Sequence, residues 1–269
     1  MARVGVFYSV GFFIVMSAFL LFAVVVMKQY SSSSQRVSED IGLEKIQTLD
    51  NSIQEAFRDY FFAKSGINIK VIGDDILYKE DLPNSASTNF KNNMTRFNNF
   101  LQSNFSVELN LSDINNNLSL YVKPHGIYFN HPSYGGNVLK SVYSSANFAG
   151  YDVTVYTNAV LNSASCQTIG TVTDPYLNVN AFGSTGSCSK TGITTLTLKD
   201  ANAVTLAVIN LRTFTKSLTI TESQPITAEV QISNLDFNSD STIITTAENV
   251  LRFNYADFNF KKNGTIRIV

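Results

Sequence analysis

Between Val4 and Met27 the chain carries no charged residue, and the run GVFYSVGFFIVMSAFLLFAVVVM (residues 5–27) is apolar at nearly every position. At about 1.5 Å of rise per residue, a helix of this length matches a hydrocarbon layer about 30 Å thick. A secretory signal would have a shorter apolar core followed by a small-x-small cleavage site. Here the run ends in Val24-Val25-Val26-Met27-Lys28, so it is expected to stay attached. Apolar residues surround the helical axis with no polar stripe. That pattern predicts a membrane span or the hidden core of a helical assembly, and excludes a helix lying flat on a surface.

Beyond Lys28 come Ser31-Ser32-Ser33-Ser34, and then helical spacing resumes. Val37, Ile41, Ile46, Leu49, Ile53, Phe57 and Tyr60 recur at intervals of three to five residues, with Glu39, Asp40, Glu44, Lys45, Glu55 and Arg58 on the other faces. The spacing predicts one N-terminal helix over residues 6–65, hydrophobic over 6–27 and amphipathic over 37–64, which ends at Ser65-Gly66. From Ile67 the pattern changes to period two and to β-branched and aromatic residues. One further helix is expected between Ser87 and Asn104, on the shared face of Phe90, Met94, Phe97, Leu101 and Phe105. Elsewhere short strands alternate with Gly, Asn, Asp and Pro turns, including single strands at Leu118–Phe129, Tyr151–Leu161 and Val250–Phe260. The expected fold class is therefore α+β: a long N-terminal hydrophobic α-helix followed by a mainly antiparallel β-sandwich head over residues 66–269, as one domain or two.

Only 15% of residues are charged, while Asn, Ser and Thr number 28, 29 and 23, so neutral hydrogen-bonding groups keep the surface hydrated. The formal net charge is −1 and there is no dense Lys/Arg block. Nucleic-acid affinity rests largely on neutralising phosphates, so this balance argues against a DNA or RNA partner. Cys166 and Cys188 are the only cysteines. In their Ser/Thr/Gly-rich setting they are expected to form a disulfide, worth roughly 3 kcal/mol through loop closure. Asn-x-Ser/Thr sequons at Asn93, Asn104, Asn110, Asn117 and Asn263 are candidate carriers of N-linked glycans. All lie after Met27, which together with the cysteines places the downstream residues outside the cell.

No catalytic pattern emerges. His125 and His131 are six apart, and on one extended strand they would stand roughly 20 Å from each other, too far to share a metal. That leaves them as surface or turn histidines. There is no Gly-x-Ser-x-Gly elbow, no His-Glu-x-x-His and no phosphate cradle. Asp74-Asp75, Asp236 and Asp240 lack the spacing of a calcium loop and read as solvated turns. Alternating aromatics on the Tyr-, Phe- and Thr-rich strands read as sheet packing rather than as a sugar platform. The expectation is a non-enzymatic protein with no cofactor and no metal.

An uncharged N-terminal segment that continues into an amphipathic half and then into a β-rich head resembles the type IV pilin architecture, in particular the archaeal pilin and archaellin-like branch. The resemblance implies a short basic leader, Met-Ala-Arg-Val-Gly, cut between Gly5 and Val6. The mature protein would begin Val6-Phe7-Tyr8-Ser9-Val10, without the glutamate that bacterial pilins carry at the fifth position. It also implies a cell-surface filament in which copies bundle through residues 6–27, after residence in the membrane, and serve adhesion or motility. Gly11, Ser17, Ala18 and Ala23 would allow close approach of neighbouring helices. The competing expectation is a single-pass, membrane-anchored surface glycoprotein whose β head is a binding module.

Overall fold

A computed structural model describes residues 2–111, 118–123, 126–131, 134–136, 138–143, 149–233, 235, 242–245, 251–255 and 260–268. Within the first helix the side chains are described over 20–29 and 40–64. Its contacts divide the protein into two compact units, 1–53 and 54–269.

In sequence order the elements are α1 (Ala2–Lys64), β1 (Ile67–Ile72), β2 (Asp75–Leu82), α2 (Ser87–Phe105), β3 (Val107–Leu109), β4 (Ser119–Lys123), β5 (Ile127–Asn130) and β6 (Val138–Tyr143). They continue with β7 (Gly150–Thr157), β8 (Cys166–Thr171), β9 (Tyr176–Phe182), β10 (Ser187–Lys190), β11 (Ile193–Lys199) and β12 (Thr205–Arg212). The last are β13 (Ser217–Glu222), β14 (Ile226–Ile232), β15 (Thr242–Thr245), β16 (Leu251–Tyr255), β17 (Phe260–Gly264) and β18 (Ile266–Arg267).

The strands build two large sheets and one small one. The first has six strands in the order β1-β2-β14-β7-β9-β10, the second nine in the order β18-β15-β4-β5-β6-β13-β12-β11-β8, and β17-β16-β3 form the third. Alternation explains why the large sheets stack. Ile76, Tyr78, Glu80 and Leu82 point inward from β2 while its other residues point out, and Leu218 and Ile220 do the same from β13. Tyr78 of one sheet stacks on Phe129 of the other with ring centroids 4.5 Å apart. The Tyr151 hydroxyl on β7 crosses the gap to within 3.3 Å of Ser141 on β6.

Residues 54–64 of α1 belong to this β-rich unit. Phe57 and Phe61 are fully buried and meet Phe90 of α2 edge-on, at 6.5 and 5.8 Å. The aromatic spacing of four residues sets both rings on one face of the helix.

The α+β class built on a long hydrophobic N-terminal helix is corrected by this fold. The protein is mainly β, with 46% strand. The backbone of α1 is helical over 63 residues, and the apolar side chains described on its first part run from Leu20 to Met27, before Lys28 and Gln29. Among the described residues no helix is long and apolar enough to cross a membrane. The class is set by the strands, whose alternating apolar residues fill the space between the two large sheets.

One strand pair departs from the mainly antiparallel pattern: β7 pairs with β9 in parallel, Tyr151 opposite Leu177 through Tyr156 opposite Phe182. The expected strand Leu118–Phe129 is two strands, β4 and β5, reversed around Gly126, whose φ of 68° lies in the left-handed region. Strand β7 stops at Thr157, and Val160 makes only an isolated bridge to Thr185.

Candidate functional site

A gathering of titratable groups is buried where α1 ends and the first sheet begins. Gly66 turns the backbone out of α1 with φ 73°, and a side chain there would strike Asn84, whose Oδ1 would lie 2.6 Å from the added Cβ. The strand parity of β2 sends Glu80 into the interior, where an unpaired carboxylate would be very costly. Three side chains meet it. The Tyr78 hydroxyl donates to Oε2 at 2.5 Å, the Asn84 amide donates to Oε1 at 2.6 Å, and Nε2 of His131 lies 2.5 Å from Oε2 and within hydrogen-bond distance, 2.9 Å, of the Tyr78 hydroxyl.

Asn84 links the cluster to the backbone around it. Its Nδ2 also donates to the Ser65 carbonyl at 2.8 Å, and its Oδ1 accepts from the Ala86 amide at 3.0 Å at the start of α2. Tyr134 donates its hydroxyl to the same Ser65 carbonyl. Lys91 of α2 donates to the Tyr134 carbonyl at 2.6 Å and holds its ammonium 5.4 Å above the Tyr134 ring. Burial is the main cause that pushes the Tyr78 and Tyr134 hydroxyls well above the ordinary tyrosine range, with the charge of Glu80 adding to it. Both therefore stay neutral donors. Burial also lowers the Lys91 ammonium.

Glu, His and Tyr are the groups of acid–base catalysis, but here all three are buried. The side chains of Glu80 and His131 are 0% and 1% exposed. The surface has grooves around Lys140 and Arg212, around Leu49, and between Tyr60 and Met94; none of these is lined by Tyr78, Glu80 or His131. What the arrangement does is join four places in the fold: the end of α1, β2, the start of α2, and the loop carrying His131 and Tyr134. Among the described residues Nδ1 of His131 has no hydrogen-bond partner. The expectation of a surface or turn histidine at His131 is thus corrected. The missed signal was the parity of β2, which puts Glu80 in line with Ile76, Tyr78 and Leu82 and so calls for a buried donor. His125 lies outside the described residues.

The other expected sites fall in separate places. Cys166 and Cys188 are bonded, with S–S 2.02 Å and Cα atoms 5.8 Å apart. They join β8 and β10, each the last strand of its large sheet, so the bridge closes one side of the stack. Of the sequon asparagines, Asn104 is exposed on α2 and its amide donates to the Phe100 carbonyl at 2.9 Å. Asn93 is half-buried on α2 beside Tyr60 and Phe97, a cramped position for a glycan. Asn110 is half-buried, Asn263 lies on β17 with its side chain outside those described, and Asn117 lies outside the described residues.

Ala23 is exposed on α1. Gly5, Val6, Gly11, Ser17 and Ala18 are on the α1 backbone, outside the described side chains. Asp75 accepts from the Gln231 amide at 2.8 Å, and among the described residues no group of three His, Cys, Asp or Glu is arranged to hold a metal. Asp236 and Asp240 lie outside the described residues.

No family model matches the protein, and no curated protein and no solved structure is similar to it.

Proposed function

We propose that the protein is a non-enzymatic structural subunit of the cell surface that assembles with copies of itself through residues 6–27 into an extracellular filament. One observation carries this reading: every residue from Leu20 to Met27 is exposed, the large side chains from 46% at Val26 to 73% at Met27. Eight successive apolar residues cover more than two helical turns, so no single neighbouring surface could cover them. Shelter must come from all sides. Full burial of each large side chain is worth about 1.5–3 kcal/mol, which makes a ring of sister helices a strong source of association free energy.

Three further features support an outside location and a structural role. The Cys166–Cys188 bridge suits an oxidising compartment. The five sequons all follow the apolar segment. The conspicuous acid–base cluster is sealed inside the fold rather than open to a substrate. Before assembly the same apolar segment would reside in the membrane, and with the sequence's resemblance to archaeal pilins this makes adhesion or motility the use of the filament.

The test is the double substitution Val24→Asp with Val25→Asp. Wild-type material sheared from cells is expected as ordered fibres by electron microscopy, and the variant as none, with the β-rich unit melting unchanged. Wild-type protein recovered only in detergent, as monomers, would overturn the reading in favour of a lipid-anchored surface protein.

A further inference from the structure

The outward faces of the two large sheets differ in charge. On the nine-stranded sheet Lys123, Lys140, Arg212 and Arg267 are exposed at outward positions. The only acidic residue in its strands is Glu222, which is 8% exposed at the inward end of β13. Lys140 and Arg212 flank a shallow groove floored by the hydroxyls of Ser217, Thr219 and Thr221. On the six-stranded sheet the central strands β2, β14 and β7 set Asp75, Asp81, Asp152 and Glu229 at outward positions against the single cation Lys79. Lys70 and Lys190 stand apart from them on the two edge strands, β1 and β10. The register sets the central groups in rows: Lys79 opposite Glu229 opposite Thr154, and Asp81 opposite Thr227 opposite Tyr156. Lys79 pairs with Glu229 at 3.5 Å, while Asp81 takes a neutral donor instead, the Thr227 hydroxyl at 2.6 Å.

Exposed aromatic side chains also lie at a hairpin end of the basic sheet and on the acidic face. Phe214, at the tip of the β12–β13 hairpin, is 99% exposed, and the Tyr151 hydroxyl fixes that hairpin by donating to the Lys216 carbonyl at 2.9 Å. On the other face Tyr156 and Phe182 stack at 5.7 Å, both more than 40% exposed.

We infer that the outward face of the nine-stranded sheet in one copy docks onto the outward face of the six-stranded sheet in a second copy, basic against acidic. This rests on the self-assembly reading above and names its second contact. The two faces differ, so the contact is heterologous: each copy keeps one free face of each kind, and the series stays open as a filament requires. Like faces repel, which disfavours a closed two-fold pair. Size agrees with a contact that is weak alone. Six strands spaced about 4.8 Å apart, each about 23 Å long, offer roughly 650 Å² per copy, at the low end for a stable interface. Many such contacts in register, added to the shared apolar core, give specificity and spacing rather than the bulk of the affinity.

The experiment uses the full-length protein and measures the critical concentration for polymerisation by sedimentation. One double variant carries Lys140→Glu and Arg212→Glu; the other carries Asp81→Lys and Glu229→Lys. Each alone sets acid against acid or base against base, and is expected to raise the critical concentration about tenfold or more. Mixed in equal amounts they regain complementary faces wherever the two alternate, and the mixture is expected to return to within about twofold of wild type. Rescue by mixing cannot arise from two misfolded proteins. Double variants that each polymerise like wild type, or a mixture that stays as poor as its parts, would overturn the docking while leaving self-assembly through residues 6–27 intact. Failure of the wild-type protein to polymerise at all would remove both.

Discussion

Two stretches of α1 have opposite fates. Residues 54–64 bring Phe57 and Phe61 to full burial against Phe90 within their own unit, whereas Leu20 to Met27 expose apolar side chains at every position. The difference is one of pattern, not of hydrophobicity alone. At 54–64 the aromatics are interleaved with Glu55, Arg58 and Asp59, so one face can pack while the other stays in water. At 20–27 no face is polar, so folding onto one surface would satisfy only part of the helix. The first stretch is cohesive within one molecule; the second is cohesive only among molecules or in lipid.

The largest break in this comparison is the pair of aspartates at 24 and 25, which should abolish assembly without touching the β-rich unit. Next, Phe61→Ala should lower the stability of that unit by about 3–5 kcal/mol through the cavity it leaves, read from denaturant melts, while fibres still form at low temperature. An unchanged melting midpoint would show that the aromatic packing is not what holds residues 54–64. Glu80→Gln tests the polar lock beside it. A glutamine amide turns an N–H toward either the Tyr78 or the Asn84 donor, so a loss of about 1–3 kcal/mol is expected; a neutral or stabilising change would mean that the carboxylate is not needed there.

The smallest effect concerns Tyr176 on β9, pushed up to about 12, first by burial and then by the charge of Asp152, to which its hydroxyl donates at 3.0 Å. For an acid raised in the folded state, the neutral form favours folding. The contribution is complete below the unfolded value of about 10 and disappears as pH climbs through about 12. Tyr176→Phe should therefore flatten, slightly, the fall in denaturation midpoint between those limits, and an identical alkaline slope would contradict the assignment.

What could be read from the sequence follows the strength of local periodicity. Strand β14 occupies Ile226–Ile232, where Ile226, Ala228, Val230 and Ile232 alternate with polar residues and all face inward. The cysteine pair was legible from its isolation and setting. Strands β9 and β10 were not read at all: β9 alternates Leu177, Val179 and Ala181 inward, but its Asn-rich outward side and the Ser/Gly-rich stretch after it resemble a loop. Its parallel pairing with β7 depends on a crossover that no local pattern encodes. The α+β class failed because the apolar run at the N-terminus, though chemically conspicuous, is a small part of a molecule that is mostly β-sheet, with 46% strand. The Glu80 lock was hidden by a different effect. Tyr78, Glu80, Asn84, His131 and Tyr134 are scattered over more than 50 residues, and only sheet register and the turn at Gly66 bring them together.

The most direct measurement places a spin label at position 24 in full-length protein sheared from cells without detergent. Sheltering by sister copies predicts strong dipolar broadening between labels, relieved by dilution with unlabelled protein, together with protection from a water-soluble relaxant. A sharp spectrum from single molecules in plain buffer, with the label either open to the relaxant or buried within its own molecule, would contradict the account.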